Sequence, residues 1–166
     1  QIALLAGIKP IGITPYRRSI ARVPTPDGHD ISKWPIFFGV GESWYAKPDA
    51  GKLLISPADE DPVIPHDVWA DDMVLAQGID RYSQHVTTPV TKVETTWAGL
   101  RSFAPDRTLV LGQDANNHRF IWCAGQGGYG FQTAPAASQL VSSLTLGQKS
   151  NLDAKIISSL SPKRFS

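Results

Sequence analysis

The sequence has one cysteine, no long apolar run and almost no excess charge, and each shortage excludes a class of protein. Cys123 has no second cysteine in the 166 residues, so an internal disulfide is impossible and a reducing, cytoplasmic location is expected. No apolar stretch approaches the roughly 20 residues that cross a bilayer. Lys and Arg number 16 and Asp and Glu 15, a net charge of +1, which argues against nucleic acid or an anionic membrane as the partner.

The chain opens without methionine, on a short apolar segment. Residues 1–6 have the composition of a helix end, and Gly7 stands where a helix C-cap belongs. We therefore expect this chain to be the C-terminal part of something longer. With 42% apolar residues it is large enough for one domain, or for pieces of two.

Short apolar segments bounded by Pro, Gly and Asp dominate the chain as far as residue 124, and they predict strands at hairpin spacing. Predicted strands cover residues 11–23, 34–40, 43–47, 52–56, 90–97, 108–112 and 120–124. Pro48–Gly51 is predicted as a hairpin turn, and weaker helical patterns cover residues 67–79, 134–146 and 151–160. The predicted fold class is α+β: a mainly antiparallel sheet that ends in a strand, a glycine turn and a helix.

The glycine turn is the most informative local motif. Gly125–Gly130 contains four glycines in six residues, directly after an apolar strand. Thr133 is placed to cap the following helix, and Pro135 suits its first turn. A strand, a glycine turn and a helix N-terminus leave unpaired backbone N–H groups at the positive end of the helix dipole. Such a site holds an anion or the electron-rich edge of a ring.

Two other interpretations of the glycines remain open. Gly125, Gly127 and Gly130 match the G-x-G-x-x-G dinucleotide fingerprint, but only 36 residues follow them and no second parallel strand is evident there. The glycines could also serve only to permit a tight turn. Arg101, just after an apolar strand and Gly99, offers a bidentate fit to a carboxylate, although an arginine there is also typical of a structural surface residue.

Three motifs in this order resemble the C-terminal signature of the D-amino-acid oxidase and glycine oxidase family of FAD-dependent oxidoreductases. They are W-A-G-L-R at 97–101, P-D-R-T-L-V-L-G at 105–112, and F-I-W-C-A-G-Q-G-G-Y-G at 120–130. The resemblance implies FAD as cofactor, an amine or amino acid as substrate, and hydride transfer from the substrate to flavin. It also implies an N-terminal FAD-binding part of the same enzyme as partner, because the family's fingerprint for the ADP half of FAD is missing here. Residues 13–100 would be a substrate-binding sheet domain, and 1–12 and 101–166 pieces of the FAD-binding domain.

The resemblance also assigns expected roles to residues. Arg101 would hold the substrate carboxylate, and the backbone of Gly128 would lie beside the substrate. Tyr45 is a further substrate-binding candidate, with a half-buried sheet aromatic as its alternative role. The residues expected to line the flavin are Gly125, Gln126, Gly127, Gly128, Tyr129, Gly130, Phe131 and Gln132. No catalytic acid–base pair and no metal site are expected, and the four histidines should lie at the surface.

The remaining candidates are structural or belong to rival functions. Asp59 and Glu60 could select a cationic substrate group, although a solvated loop is the simpler interpretation. Trp97 and Trp122 are expected to fill core, and Cys123 to be an inert buried thiol. The rival function is a non-catalytic substrate-binding or interaction module that needs a separate flavin-binding part, with helix 134–146 as a docking face and a homo-oligomer as a related expectation. An unrelated nucleotide-binding domain would require a second parallel strand after residue 147.

Overall fold

The computed structural model describes all residues, 1–166, and the chain forms two compact units. One unit, here called the split unit, contains residues 1–15 and 101–166. The other, the inserted unit, contains residues 16–100, which lie between the two segments of the first in sequence. The class is α+β with a mainly antiparallel sheet, as predicted.

The inserted unit is built on a six-stranded sheet. Its strands are β1 (Thr14–Val23), β2 (Phe37–Phe38), β3 (Tyr45–Asp49), β4 (Lys52–Ser56), β5 (Asp61–Pro62) and β6 (Thr95–Phe103). They run in the order β2-β3-β4-β1-β5, and β6 also pairs with β1. The first and last strands continue into the split unit, so the chain enters and leaves the inserted unit on paired strands.

The hairpin of β3 and β4 follows the prediction closely. Tyr45 pairs with Ser56 and Asp49 with Lys52, which leaves a two-residue turn. Its residues, Ala50 and Gly51, have φ of 47° and 74°, as a primed hairpin turn requires. Alternate residues of the strands form the core together with residues of α2 (Asp72–Ser83). The buried apolar residues are Val23, Ile31, Trp44, Ala46, Leu53, Ile55 and Tyr82.

The split unit contains a two-stranded antiparallel sheet, with helices and two apolar clusters. Its elements are α1 (Ile2–Leu5), β7 (Val110–Gln113), β8 (Ile121–Ala124), α3 (Gly130–Thr145), α4 (Ala154–Leu160) and a 3-10 turn at Pro162–Phe165. One cluster is centred on Ala104, Val110 and Trp122, and the other on Leu111 and Leu140. The Asp114 carboxylate closes the β7–β8 connection, accepting bonds from the indole N–H of Trp122 at 3.0 Å and from two backbone amides.

Several predicted boundaries were wrong for identifiable reasons. Helix α3 begins at Gly130, so Thr133 does not cap it, and the Thr133 hydroxyl instead donates to the Tyr129 carbonyl at 2.8 Å. Pro135 lies inside the helix rather than at its first position. The residues after 147 form helical turns and no strand, which removes the second parallel strand that a dinucleotide-binding unit needs. None of the helices is both long and apolar enough to cross a bilayer.

Burial also corrects some expectations. Trp122 is buried as predicted, but Trp97 is 42% exposed because it lies in the first part of β6, where Thr95 and Thr96 are exposed as well. Cys123 is exposed because β8 turns Trp122 to the core and its neighbour outward. All four histidines are exposed, which confirms that expectation.

Candidate functional site

The turn between β8 and α3 has the backbone conformation that only glycine adopts readily. Gly125 and Gly127 have φ of 74° and 52°, in the left-handed region. The Gly127 N–H donates to the Ser102 carbonyl at 2.9 Å, which fastens the turn to β6. The Tyr129 N–H donates to the Gln126 carbonyl at 2.9 Å and closes the last part of the turn. The glycines therefore fix a defined shape and are not merely flexible.

Phe103 lies directly beneath this turn. A Cβ at Gly127 would lie 2.2 Å from Cε1 of Phe103, so no other residue fits at position 127 without displacing the ring. Phe103 also meets Tyr129 edge-on, with 6.3 Å between ring centroids. The guanidinium carbon of Arg107 lies 4.1 Å from the centroid of the same ring. Phe103, 3% exposed, thus supports both the glycine backbone and the Tyr129 side chain.

Arg101 lies on the same face of β6 as Phe103, since the two residues are two positions apart on a strand. A Cβ at Gly128 would lie 3.1 Å from Nη1 of Arg101, so the guanidinium is next to the bare backbone of that glycine. The arginines that form ion pairs include Arg17, Arg22 and Arg164 but not Arg101. Arg101 is therefore a partly buried cation with no carboxylate partner of its own, beside the glycine turn.

The first turn of α3 presents free backbone donors. No side chain caps this helix, and its first backbone acceptor bond is that of Thr133 N–H to the Tyr129 carbonyl. The amides of Gly130, Phe131 and Gln132 consequently have no partner inside the helix, and the helix dipole makes this end positive. Phe131 is fully exposed, at 100%. This helix start is suited to an electron-rich group.

The structure thus brings together in the split unit the predicted Arg101, Gly128 and the whole run from Gly125 to Gln132. The remaining candidate, Tyr45, belongs to the inserted unit. It is 8% exposed, opposes Ser56 across the hairpin and has its ring 5.9 Å from that of Phe38. It is more deeply buried than a half-buried sheet aromatic.

In the acidic loop after β4, Glu60 and Asp61 are exposed as the sequence suggested, but Asp59 is not. The Asp59 side chain is only 4% exposed and accepts bonds from the Ser19 amide at 2.7 Å and the Ser19 hydroxyl at 2.8 Å. Nε of Arg17 lies 3.4 Å from the same carboxylate, and Nη2 of Arg17 reaches Asp61 at 2.8 Å. Asp59 is therefore neutralised within the inserted unit, which corrects the expectation that it could select a cationic substrate.

Sequence reasoning missed three residues around the turn. Phe103 could have been found from its spacing, because it shares a strand face with Arg101. Arg107, at φ 61°, is held in a left-handed conformation that its sequence context did not reveal. Arg164 is distant in sequence, yet it pairs with Asp106 at 2.7 Å, and this hydrogen bond lowers the pKa of the Asp106 carboxyl.

Comparison with solved structures defines the class of fold. The chain is similar to glycine oxidase from Geobacillus kaustophilus, with a TM-score of 0.78 and 18% identity over 98% of this chain and 42% of that one. It is similar to L-proline dehydrogenase from P. horikoshii, with a TM-score of 0.77 and 21% identity over 98% of this chain and 43% of that one. Iminodiacetate oxidase from Chelativorans sp. BNC1 gives a TM-score of 0.77 and 16% identity over 96% of this chain and 43% of that one.

The family follows from the sequence itself. The profile described as FAD dependent oxidoreductase matches residues 2–144. The chain therefore belongs to this family of FAD-dependent oxidoreductases, as the three motifs indicated, and the family's cofactor is FAD. The chain spans less than half of the length of the solved relatives above, 42–43% of each.

The residues of the split unit fit part of a flavin. A Cβ would fill the space above Phe103 at position 127 and would crowd Arg101 at position 128, so these glycines keep a strip of backbone open. Next to that strip are the three free amides of α3, which suit the carbonyl-rich edge of a flavin ring. The fit concerns one edge of the ring system, and this turn is where the chain would hold it.

Proposed function

We propose that this chain is the C-terminal segment of an FAD-dependent oxidoreductase that oxidises an amine or amino acid. The single observation that carries the proposal is the unpaired guanidinium of Arg101 beside the bare backbone of Gly128. That arrangement offers a carboxylate site next to the turn where the flavin would lie. When bound, FAD supplies the acceptor for a hydride from the carbon beside the substrate nitrogen, and water then hydrolyses the resulting imine.

The glycine turn has the role of orienting and stabilising the flavin. The free amides of Gly130, Phe131 and Gln132 would stabilise negative charge at the pyrimidine edge of a bound flavin. The turn from Gly125 to Tyr129 keeps its backbone close to the ring, because no side chain projects from Gly127 or Gly128. Phe103 packs under Gly127 and supports the turn that leads into these donors, so little reorganisation would be needed when the cofactor binds.

Arg101 has the role of orienting the substrate. Its planar guanidinium can donate two parallel hydrogen bonds to a carboxylate and stays charged at any working pH. The solved relatives include enzymes named for amino-acid substrates, glycine and L-proline, in which a carboxylate lies beside the reacting nitrogen-bearing carbon. We infer the same substrate class for the protein that carries this chain.

The two units have separate roles in this proposal. Residues 13–100 would form a substrate-binding sheet domain, with Tyr45 as a candidate contact, and residues 1–12 and 101–166 would be pieces of the FAD-binding domain. The low exposure of Tyr45 leaves its ring mainly to packing, so its hydroxyl is the part that could meet a substrate. An N-terminal FAD-binding part would complete the cofactor site, and the chain by itself would be inactive.

A second candidate function is a non-catalytic substrate-binding or interaction module that needs a separate flavin-binding part. Its supporting observation is the apolar surface at the start of α3 and in α1, where Phe131 and Leu5 are 100% and 88% exposed. Titration of the chain with FAD, followed by the visible absorbance of the flavin, separates the two candidates. Retention of FAD by the chain contradicts the module, which needs a separate flavin-binding part.

The carboxylate role is tested in the flavin-loaded protein with Arg101→Leu. Charge-assisted hydrogen bonds contribute about 1.5–3 kcal/mol, so the apparent KM for an amino-acid substrate should rise roughly 10- to 100-fold. The KM for the corresponding amine, which lacks the carboxylate, should not change. The preference for the amino acid over this amine should therefore disappear. Arg119→Leu is the control, because Arg119 is an exposed arginine of the same unit. Unchanged preference in Arg101→Leu would remove the carboxylate role.

A further inference from the structure

Arg164, in the 3-10 turn near the C-terminus, makes an unusually complete set of contacts. Its Nε and Nη2 donate to the two oxygens of Asp106 at 2.7 and 3.2 Å, a bidentate ion pair. Its nitrogens also donate to three backbone carbonyls, those of Thr108 at 2.9 Å, Leu109 at 3.1 Å and Ser161 at 3.0 Å. The Arg164 side chain is 17% exposed and that of Asp106 is 41% exposed, so water competes less for the partly buried bonds to the carbonyls than for the ion pair.

These contacts fix the turn Ala104–Thr108. Asp106 also accepts a bond from the Thr108 amide at 3.1 Å, and the Arg107 amide donates to the Ala104 carbonyl at 2.9 Å. Arg107 itself has φ of 61°, a conformation that costs a non-glycine residue roughly 1–2 kcal/mol. A strained residue in a tight turn persists when the surrounding contacts hold its conformation. Arg164 supplies such contacts, because it bonds to Asp106 and Thr108, the residues on either side of Arg107.

The same turn supports the glycine turn at two points. A Cβ at Gly125 would lie 3.5 Å from both the Ala104 nitrogen and the Thr108 oxygen, so the start of the glycine turn packs on this backbone. Arg107 covers the ring of Phe103 at 4.1 Å, and that ring fills the space under Gly127. A continuous chain of packed groups therefore leads from Arg164 to the glycine turn.

We propose that Arg164 is a positioning residue that fixes the glycine turn by clamping the turn at 104–108. The inference rests on the proposed function, since it assigns this clamp to the flavin-facing backbone. Arg164 lies outside residues 2–144, the part that matches the family profile.

The test compares Arg164→Met with Lys163→Met. Both variants replace a cation in the same 3-10 turn with a side chain of similar length, but Lys163 is exposed and its side chain makes no ion pair. Hydrogen–deuterium exchange is measured on peptides covering 104–108 and 125–130, and FAD affinity is measured in the complete protein. Arg164→Met should speed exchange in both peptides and weaken FAD binding about tenfold, whereas Lys163→Met should change neither.

Two further variants test how the effect travels. Arg164→Lys keeps the charge but loses the planar fork, so it should give an intermediate loss of FAD affinity. Asp106→Asn combined with Arg164→Met should bind FAD no more weakly than Arg164→Met alone, because both remove the same contact. If Arg164→Met does not fold, Arg164→Lys and Asp106→Asn decide: faster exchange at 125–130 in both supports the clamp, and wild-type exchange overturns it.

The outcomes separate this inference from the proposed function. If the unsubstituted protein does not bind FAD, the proposed function fails, while the exchange experiment still reports on the clamp. If Arg164→Met speeds exchange at 104–108 but leaves 125–130 unchanged, Arg164 merely secures its own turn and the positioning role is overturned. Equal effects of Arg164→Met and Lys163→Met overturn it as well.

Discussion

Gly127→Ala is the substitution for which the structure gives the sharpest expectation. The new methyl carbon would lie 2.2, 2.7 and 2.8 Å from three atoms of the Phe103 ring. Real carbon atoms do not approach so closely, so the ring or the turn must shift. Phe103 is 3% exposed and bears on both Tyr129 and Arg107, so it has no free space to enter. The residue would also have to keep φ of 52°.

Two costs therefore add. The left-handed conformation costs alanine roughly 1–2 kcal/mol relative to glycine. Forcing a methyl group into a packed site costs about 1–3 kcal/mol. The free energy of unfolding should fall by about 2–5 kcal/mol, a large part of the stability of a domain of this size.

Urea denaturation followed by circular dichroism measures the effect. With a slope of about 2 kcal/mol per molar urea, the midpoint should fall by about 1–2.5 M. Gly128→Ala is the matched control, because its methyl group meets only the mobile end of Arg101 at 3.1 Å. That variant should lose no more than about 0.5 kcal/mol. Equal midpoints for the two variants would refute the view that Phe103 shapes the turn.

Two more predictions concern carboxylates. Asp59→Ala should lower the free energy of unfolding by about 2–4 kcal/mol, because it leaves the Ser19 amide and hydroxyl without their buried acceptor and removes one of the two carboxylates that face Arg17. Asp61→Ala, at a 58% exposed side chain, should cost under about 1 kcal/mol; similar losses would contradict the burial argument. The pKa of Asp114 is held below its ordinary 3.8, chiefly by the Trp122 indole N–H. Its stabilisation is complete above that value and is lost as the pH falls through the lower folded pKa, because the unfolded chain binds the proton first. Asp114→Asn should therefore flatten the fall in Tm as the pH is lowered from about 5 towards 3, and an unaltered slope would count against this assignment.

The sequence predicted best where a local rule acts alone. The β3–β4 hairpin was predictable because Ala50 and Gly51 stand between two apolar segments, and a two-residue turn fixes the register. The glycine turn and Arg101 were predictable as motifs, and the structure places them together. Their contact depends on β6 and the turn sharing one hydrogen bond, that of Gly127 to Ser102, which no local rule reveals.

The errors lie where tertiary contacts override local preference. Thr133 and Pro135 carry the signals of a helix start. The helix α3 nevertheless begins at Gly130, because Tyr129 already has right-handed helical backbone angles and its carbonyl accepts the first helical hydrogen bond. Pro135 has no N–H group and so loses one hydrogen bond inside the helix. Local rules therefore predict a later helix start than the one observed. Asp59 was expected in solvent, and only the distant Ser19 and Arg17 explain its burial. Cys123 was misjudged because strand alternation does not say which face is covered, and Trp97 because it does not say how much of a strand's length is covered.

The division of the chain has a consequence for its synthesis. Residues 16–100 are contiguous, so the inserted unit has all its partners soon after Leu100 leaves the ribosome. Residues 1–15 belong to the other unit and must wait for segments made much later. Ala3 and Ile8, for instance, pack in the same cluster as Trp122 and Phe165, so this cluster is incomplete until Phe165 has been made. Residues 1–15 are therefore made before the inserted unit yet reach their final environment after it, and until then their apolar side chains need protection from aggregation.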